Sequence, residues 1–204
     1  NLDYGDLGAA ALEIDRLIRN IDLPNDMRAQ LAGQNEEMAV SFKSLRFALL
    51  LAIFLVYLVM ASQFESFIHP FVILFSIPLA LIGAVWALWL TGSTISVVVF
   101  IGLILLAGIV VNNAIVLLDL VKQLRARGMK KEEAILTAGH SRLRPIVMTM
   151  LTTTLGLLPM AIGLGEGSEV RAPMAITVIG GLTVSTLLTL VVIPVVYSIM
   201  DRKA

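Results

Sequence analysis

The chain has 204 residues, of which 58% are apolar and 15% charged, and its 15 lysines and arginines balance 15 aspartates and glutamates to a formal net charge of zero. A mean hydropathy of +0.91 lies far from that of an average soluble domain, so a water-soluble globule is excluded and most of the chain belongs in lipid. Cysteine is absent, which excludes a disulfide framework and any cysteine metal site.

The opening residues read as part of a domain lying outside the membrane. Asp6 precedes Leu7, Ala11, Ile14, Leu17 and Ile18 at helical spacing, which predicts an aspartate-capped amphipathic helix. Pro24 and Asn25 break it, and Met27 to Leu31 alternates apolar with polar as a short strand does. Gly33 ends that strand before a second helical pattern, Glu36 to Lys43. One helix and one or two short strands cannot bury a core alone, so this small α+β piece is expected to complete a larger domain whose other strands lie upstream. The chain starts without methionine and reads as a fragment.

Five apolar runs follow, each close to the roughly 20 residues that a helix rising 1.5 Å per residue needs to cross about 30 Å of hydrocarbon. They are Ser44 to Gln63, Phe67 to Leu90, Val97 to Val121, Pro145 to Leu164 and Pro173 to Met200. Arg46 lies near the start of the first, where its side chain would snorkel to the interface. Pro78, Pro159 and Pro194 fall within the second, fourth and fifth runs, and each removes a backbone hydrogen bond. Gly180 and Gly181 in the fifth run mark flexible or closely packed points. His69 and His140 each lack a second plausible ligand nearby, so they read as interfacial residues and no metal site is expected.

Charge orients the crossings. The connection from Lys122 to Arg144 holds Lys122, Arg125, Arg127, Lys130, Lys131, Arg142 and Arg144 against Glu132 and Glu133 alone. The positive-inside rule places this basic loop in the cytoplasm, with Asn1 to Lys43 outside and the Asp201, Arg202, Lys203 tail inside. Juxtamembrane cations of this kind are topology signals, so no nucleic-acid partner is expected. Within the loop, Lys130 to Gly139 has an amphipathic pattern that fits either an interfacial helix or a solvated connector.

The chemistry concentrates in the third and fourth runs. Gly108, Asn112 and Asp119 share one helical face, with Asn113 beside Asn112. Arg142, Thr149, Thr153 and Gly156 share another, provided that the fourth helix already begins at Arg142 with Pro145 in its first turn. Hydrocarbon offers these groups no water, so each must find a partner or line a wet cavity. We expect the two faces to oppose each other in a polar seam, with both glycines permitting close approach. The structural alternative is interhelical hydrogen bonding worth about 0.6 kcal/mol per pair, or hydroxyls of Thr152, Thr153 and Thr154 bonding back to their own helix.

The string GIVVNNAIVLLDL from Gly108 to Leu120, followed by SRLRPIVMTMLTTTLGLLPMAIG from Ser141 to Gly163, resembles the C-terminal membrane half of resistance-nodulation-division (RND) efflux pumps. AQLAGQNEEM from Ala29 and SQFESFIHPFVILFSIPLALIGA from Ser62 are similar to that family in order and spacing, so the resemblance covers essentially the whole chain. It implies an all-α polytopic bundle of five transmembrane helices, preceded over residues 1–43 by the closing α+β fragment of a periplasmic porter domain. It further implies a proton-driven transporter of the bacterial inner membrane. Its cargo would be hydrophobic or amphiphilic compounds, and it would carry no cofactor and no enzymatic site. The implied partners are the missing N-terminal half of the same protein, two further copies in a homotrimer, a periplasmic adaptor, an outer-membrane channel and the lipid membrane.

By the same resemblance the relay residues are Asn112, Asn113, Arg142 and Thr149, with Asp119 and Thr153 in the adjoining seam. The family commonly has lysine where Asn112 stands. An amide cannot pair as a cation with the acidic residues of an absent helix, so at this position the resemblance fixes neither how charge is balanced in the relay nor whether the coupling ion is a proton. The competing class is a membrane scaffold, or a protein-export or lipid-handling relative sharing the RND membrane architecture.

Overall fold

The computed structural model describes residues 13–14, 16–18 and 34–200, and these are helix, turn or short connection with no strand among them. Glu13, Ile14 and Arg16 to Ile18 are helical, in keeping with the end of the first predicted helix. The predicted strand at 27–31 and the Asp6 cap lie outside the described residues.

The chain divides into two compact units, Asn1–Ala48 and Leu49–Ala204. Helix α1, Gln34–Phe64, runs through the division. The second unit continues with α2 (Ile68–Leu74), α3 (Ser76–Thr91), α4 (Val97–Ala126), α5 (Lys131–Ala161) and α6 (Ser168–Met200). Five stretches among the described residues are long and apolar enough to cross a membrane: Val40–Phe64, His69–Thr91, Val97–Ala126, Lys131–Ala161 and Ser168–Ile199.

The second crossing is divided, and Pro78 supplies the reason. A proline cannot donate to the carbonyl four residues back and its ring crowds that carbonyl, here Leu74, the last residue of α2. The break is confined to Phe75, whose φ and ψ of −61° and −18° stay helical, and Ser76 bridges it by donating its hydroxyl to the Ile73 carbonyl at 2.7 Å. At the other end of α3, Gly92 takes a left-handed φ of 64° and closes the helix. Trp86 and Trp89 there are 62% and 75% exposed and meet edge to face, as interfacial aromatics do.

The basic connection departs from the sequence reading. Residues 122–144 do not form a loop: α4 continues to Ala126, Gly128 turns the chain with a φ of 88°, and α5 begins at Lys131. The Lys130 to Gly139 pattern is therefore neither a separate interfacial helix nor a solvated connector. It is the first part of α5, and Ala134 and Ala138 are fully buried in the core. Pro145 sits deep inside α5 and not in its first turn. Proline usually ends a helix at the preceding residue, but membrane helices tolerate it because their neighbours support the freed carbonyl. The helix stops instead at Ile162, where the Gly163 and Leu164 amides donate to the Met160 and Pro159 carbonyls at 3.3 and 3.0 Å.

Within the second unit α6 is the central helix, packed by α3, α4 and α5. One core cluster gathers Ala80 and Ala84 of α3, Leu106 and Val110 of α4, and Leu182 of α6. The other joins Met60 and Phe64 of α1, Val72 and Ile73 of α2, Leu117 and Val121 of α4, Ala134 and Ala138 of α5, and Ile193 and Tyr197 of α6. Lipid is as apolar as leucine, so such a bundle associates through close packing between small residues. The residues that permit it are Gly83 and Gly180, at each of which an added Cβ would lie within 3.0 Å of the other's carbonyl oxygen. Gly181 likewise abuts Leu106 and Ala80. The expected close approaches at Gly108 and Gly156 are absent, since nothing lies within 4 Å of a Cβ at either.

Polar and aromatic groups tie the end of the bundle that holds the α4–α5 turn. Lys122 donates to the Phe64 carbonyl at 3.0 Å and lies 5.6 Å from that ring's centre, and Arg125 donates to the Tyr197 hydroxyl at 3.1 Å. His69 is half-buried between the Phe64 and Tyr197 rings, at 5.8 and 5.7 Å. Tyr197→Phe keeps the rings and removes the acceptor. It is expected to lower stability by about 1 to 2 kcal/mol, read as a fall in melting temperature of the detergent-solubilised protein.

Candidate functional site

Helix α4 has two unlike sides. Val99, Leu106, Val110, Ala114, Leu117 and Val121 are buried against the bundle. On the opposite side Ile101, Leu105, Gly108, Asn112, Asp119 and Gln123 form an exposed stripe, because helical spacing returns them to the same face, interrupted between Asn112 and Asp119 by the half-buried Ile115. The shared face of Gly108, Asn112 and Asp119 expected from spacing is therefore present, and it faces away from the core. Gly108 also borders an apolar cavity of about 70 Å³ between α1, α3 and α4. Asn113, about 100° further round the helix, is half-buried.

The Asp119 carboxylate accepts from the Gln123 side-chain amide at 2.8 Å, one turn along the same stripe. That bond satisfies part of the acid locally and leaves Asn112 as the most deeply placed polar group of the stripe. On α5, Arg142 is half-buried and its Nε is enclosed without a hydrogen-bond partner. Thr149 is exposed, and its hydroxyl donates to its own helix, with the Pro145 and Ile146 carbonyls at 3.1 and 2.9 Å. Thr152 bonds back in the same way to Met148, whereas the Thr154 hydroxyl is enclosed and unpartnered. Thr153 is half-buried.

Among the described residues no hydrogen bond joins Asn112, Asn113 or Asp119 to Arg142, Thr149 or Thr153. The expected direct seam between the two faces is thus not formed within this chain. Thr149 shows why: a hydroxyl one turn above a proline finds nearby carbonyls and needs no second helix. No group of three or more histidine, aspartate or glutamate side chains comes together among the described residues. Sequence reasoning missed the Phe64–His69–Tyr197 stack, because Tyr197 lies far along the chain from the other two and only the fold brings it to them.

Five apolar helices of membrane length among the described residues define a multi-pass membrane protein. Residues 2–201 match the AcrB/AcrD/AcrF family, and the chain belongs to that family. It is 44% identical over 195 residues to the swarming motility protein SwrC of Bacillus subtilis (strain 168), covering 95% of this chain and 18% of that protein. It is 41% identical over 204 residues to the multidrug resistance protein MdtC of Erwinia tasmaniensis, covering 99% of this chain and 20% of MdtC. A crystal structure of a heavy metal efflux pump superposes with a TM-score of 0.85 at 32% identity, over 100% of this chain and 20% of that one. The chain thus spans about a fifth of the length of the relatives it matches.

Proposed function

We propose that the chain forms the last five membrane helices of a proton-driven inner-membrane exporter of hydrophobic or amphiphilic compounds, with residues 1–43 closing a periplasmic domain. The observation that carries this reading is the α4 stripe. An amide and a carboxylate stand exposed on a membrane-length helix, where none of the described helices covers them. Burying such groups in hydrocarbon without partners costs several kcal/mol each, roughly 2 to 7 for an amide, so a further polar helix is needed against this face. An acidic helix from the remaining part of the same protein satisfies both Asn112 and the enclosed guanidinium of Arg142. Protonation of that acid would remove its ionic attraction to Arg142 and leave only a neutral hydrogen bond to Asn112, letting the helices repack, which is a two-state element of the kind that drives a transport cycle.

The greater identity to a multidrug resistance protein than to the heavy metal pump supports lipophilic cargo. The basic α4–α5 turn supports a cytoplasmic position for that end, with the N-terminus periplasmic. The whole transporter is read as a homotrimer working with a periplasmic adaptor and an outer-membrane channel. The test is Asn112→Ala in the intact transporter reconstituted into vesicles with an imposed pH gradient. Export is expected to stop while expression, trimer assembly and melting temperature stay unchanged. Unaltered pH-driven export by a correctly folded variant overturns the relay assignment.

A further inference from the structure

The α4–α5 turn borders an open cleft of about 830 Å³ whose wall carries both signs of charge, Arg125, Lys130 and Lys131 beside Glu132 and Glu133. Leu136 completes that wall and also lines a second cavity of about 240 Å³, which continues along α5 and α6 past Gly139, Leu143, Leu190 and Pro194. The charged cleft and a largely apolar groove, which His140 also lines, thus adjoin at Leu136. Lys131 is fixed at the charged cleft by donating to the Ser198 carbonyl at 2.6 Å, and Arg125 by donating to Tyr197. The cleft lies among the charges that flank the apolar parts of α4 and α5, and Leu143 of the groove adjoins the apolar part of α5.

We propose that this paired cavity is a binding site for a zwitterionic aminophospholipid, phosphatidylethanolamine in type. The phosphate would be held by Lys130 with Lys131 and Arg125, and the primary ammonium by Glu132 or Glu133. One acyl chain would lie in the groove against Leu136, Leu143 and Leu190. Charge complementarity selects this occupant. A purely anionic headgroup meets the repulsion of two carboxylates, and a quaternary choline has no N–H to donate to them. Basic pockets between membrane helices bind lipid phosphates in this manner, and the acidic pair adds the selection among them. The groove is open because residue 139 is glycine, at which an added Cβ would meet nothing within 4 Å. The site is separate from the α4 stripe, and its occupancy can be measured without transport.

Native mass spectrometry of the intact transporter, exchanged into micelles with equal amounts of phosphatidylethanolamine, phosphatidylglycerol and phosphatidylcholine, tests the proposal by counting retained lipids per protomer. The wild type is expected to retain phosphatidylethanolamine above the other two. Gly139→Leu fills the groove from open space and favours the helix, so it should lower retention of all three without lowering the melting temperature. Glu133→Gln should cut the preference for phosphatidylethanolamine over phosphatidylglycerol by up to roughly tenfold, as loss of one charged hydrogen bond does. Equal retention of the three lipids by the wild type overturns the proposal, as does unchanged retention in a folded Gly139→Leu variant.

Discussion

Gly180→Val is expected to be the most damaging single substitution in the bundle. Its Cβ would fall against the Ala87 methyl group and 2.9 Å from the Gly83 carbonyl oxygen, so backbone must move against backbone. Flexible side chains can yield by changing rotamer, but two helix backbones in van der Waals contact cannot. Overpacking of this kind costs about 1 to 3 kcal/mol where side chains can adjust, and a backbone clash belongs at or beyond the top of that range. The α3–α6 contact is also the one on which the central helix depends, so separation here loosens both core clusters. Thermal unfolding of the solubilised protein should show a large drop for Gly180→Val and little change for Gly108→Ala, whose new methyl meets open space. Equal behaviour of the two variants contradicts the packing described here.

Arg142→Gln is expected to lower pH-driven export by the intact transporter at least about tenfold, the factor that corresponds to 1.4 kcal/mol. Leaving a buried charged group unpaired, or removing one partner of a buried pair, costs about 3 to 5 kcal/mol. The Arg142 Nε is enclosed, and glutamine, being neutral, supplies no charge to pair with an acid there. Arg142→Lys restores the charge but not the planar fork, and should recover export only in part. The readout is the initial rate of export at a fixed pH gradient, with trimer yield as the control for folding. Full activity of Arg142→Gln returns this residue to the role of an interfacial anchor.

Most of the membrane architecture was legible because hydrocarbon imposes a length and forbids charge. The starts and ends of the runs erred only where helix continues into water: α4 and α5 both extend past their apolar cores, and Lys122, Gln123 and Glu132 are good helix formers that hydropathy discards. Pro145 misled in the same way, since its local preference for a helix start was overridden by neighbouring helices. Residues sharing a face could be read from spacing, and Gly108, Asn112 and Asp119 do share one. Which helix that face meets could not, because rotation of α4 about its axis is set by the packing of Leu106, Val110 and Leu117 on distant segments. The close-packed glycines were legible as a pair at Gly180 and Gly181 but not as partners of Gly83 and Leu106.

The unbroken run of α5 through Pro145 has a mechanical consequence. Its 31 residues make a rod of roughly 46 Å at 1.5 Å per residue, with Lys131 at one extremity and Ala161 at the other. A break at Pro145 would have absorbed any shift of the extremity bearing Lys131. Without one, Ala134 and Ala138 before the proline and Ile146 and Met150 after it bear on the core as parts of one rod, so a displacement of either part is carried to the other.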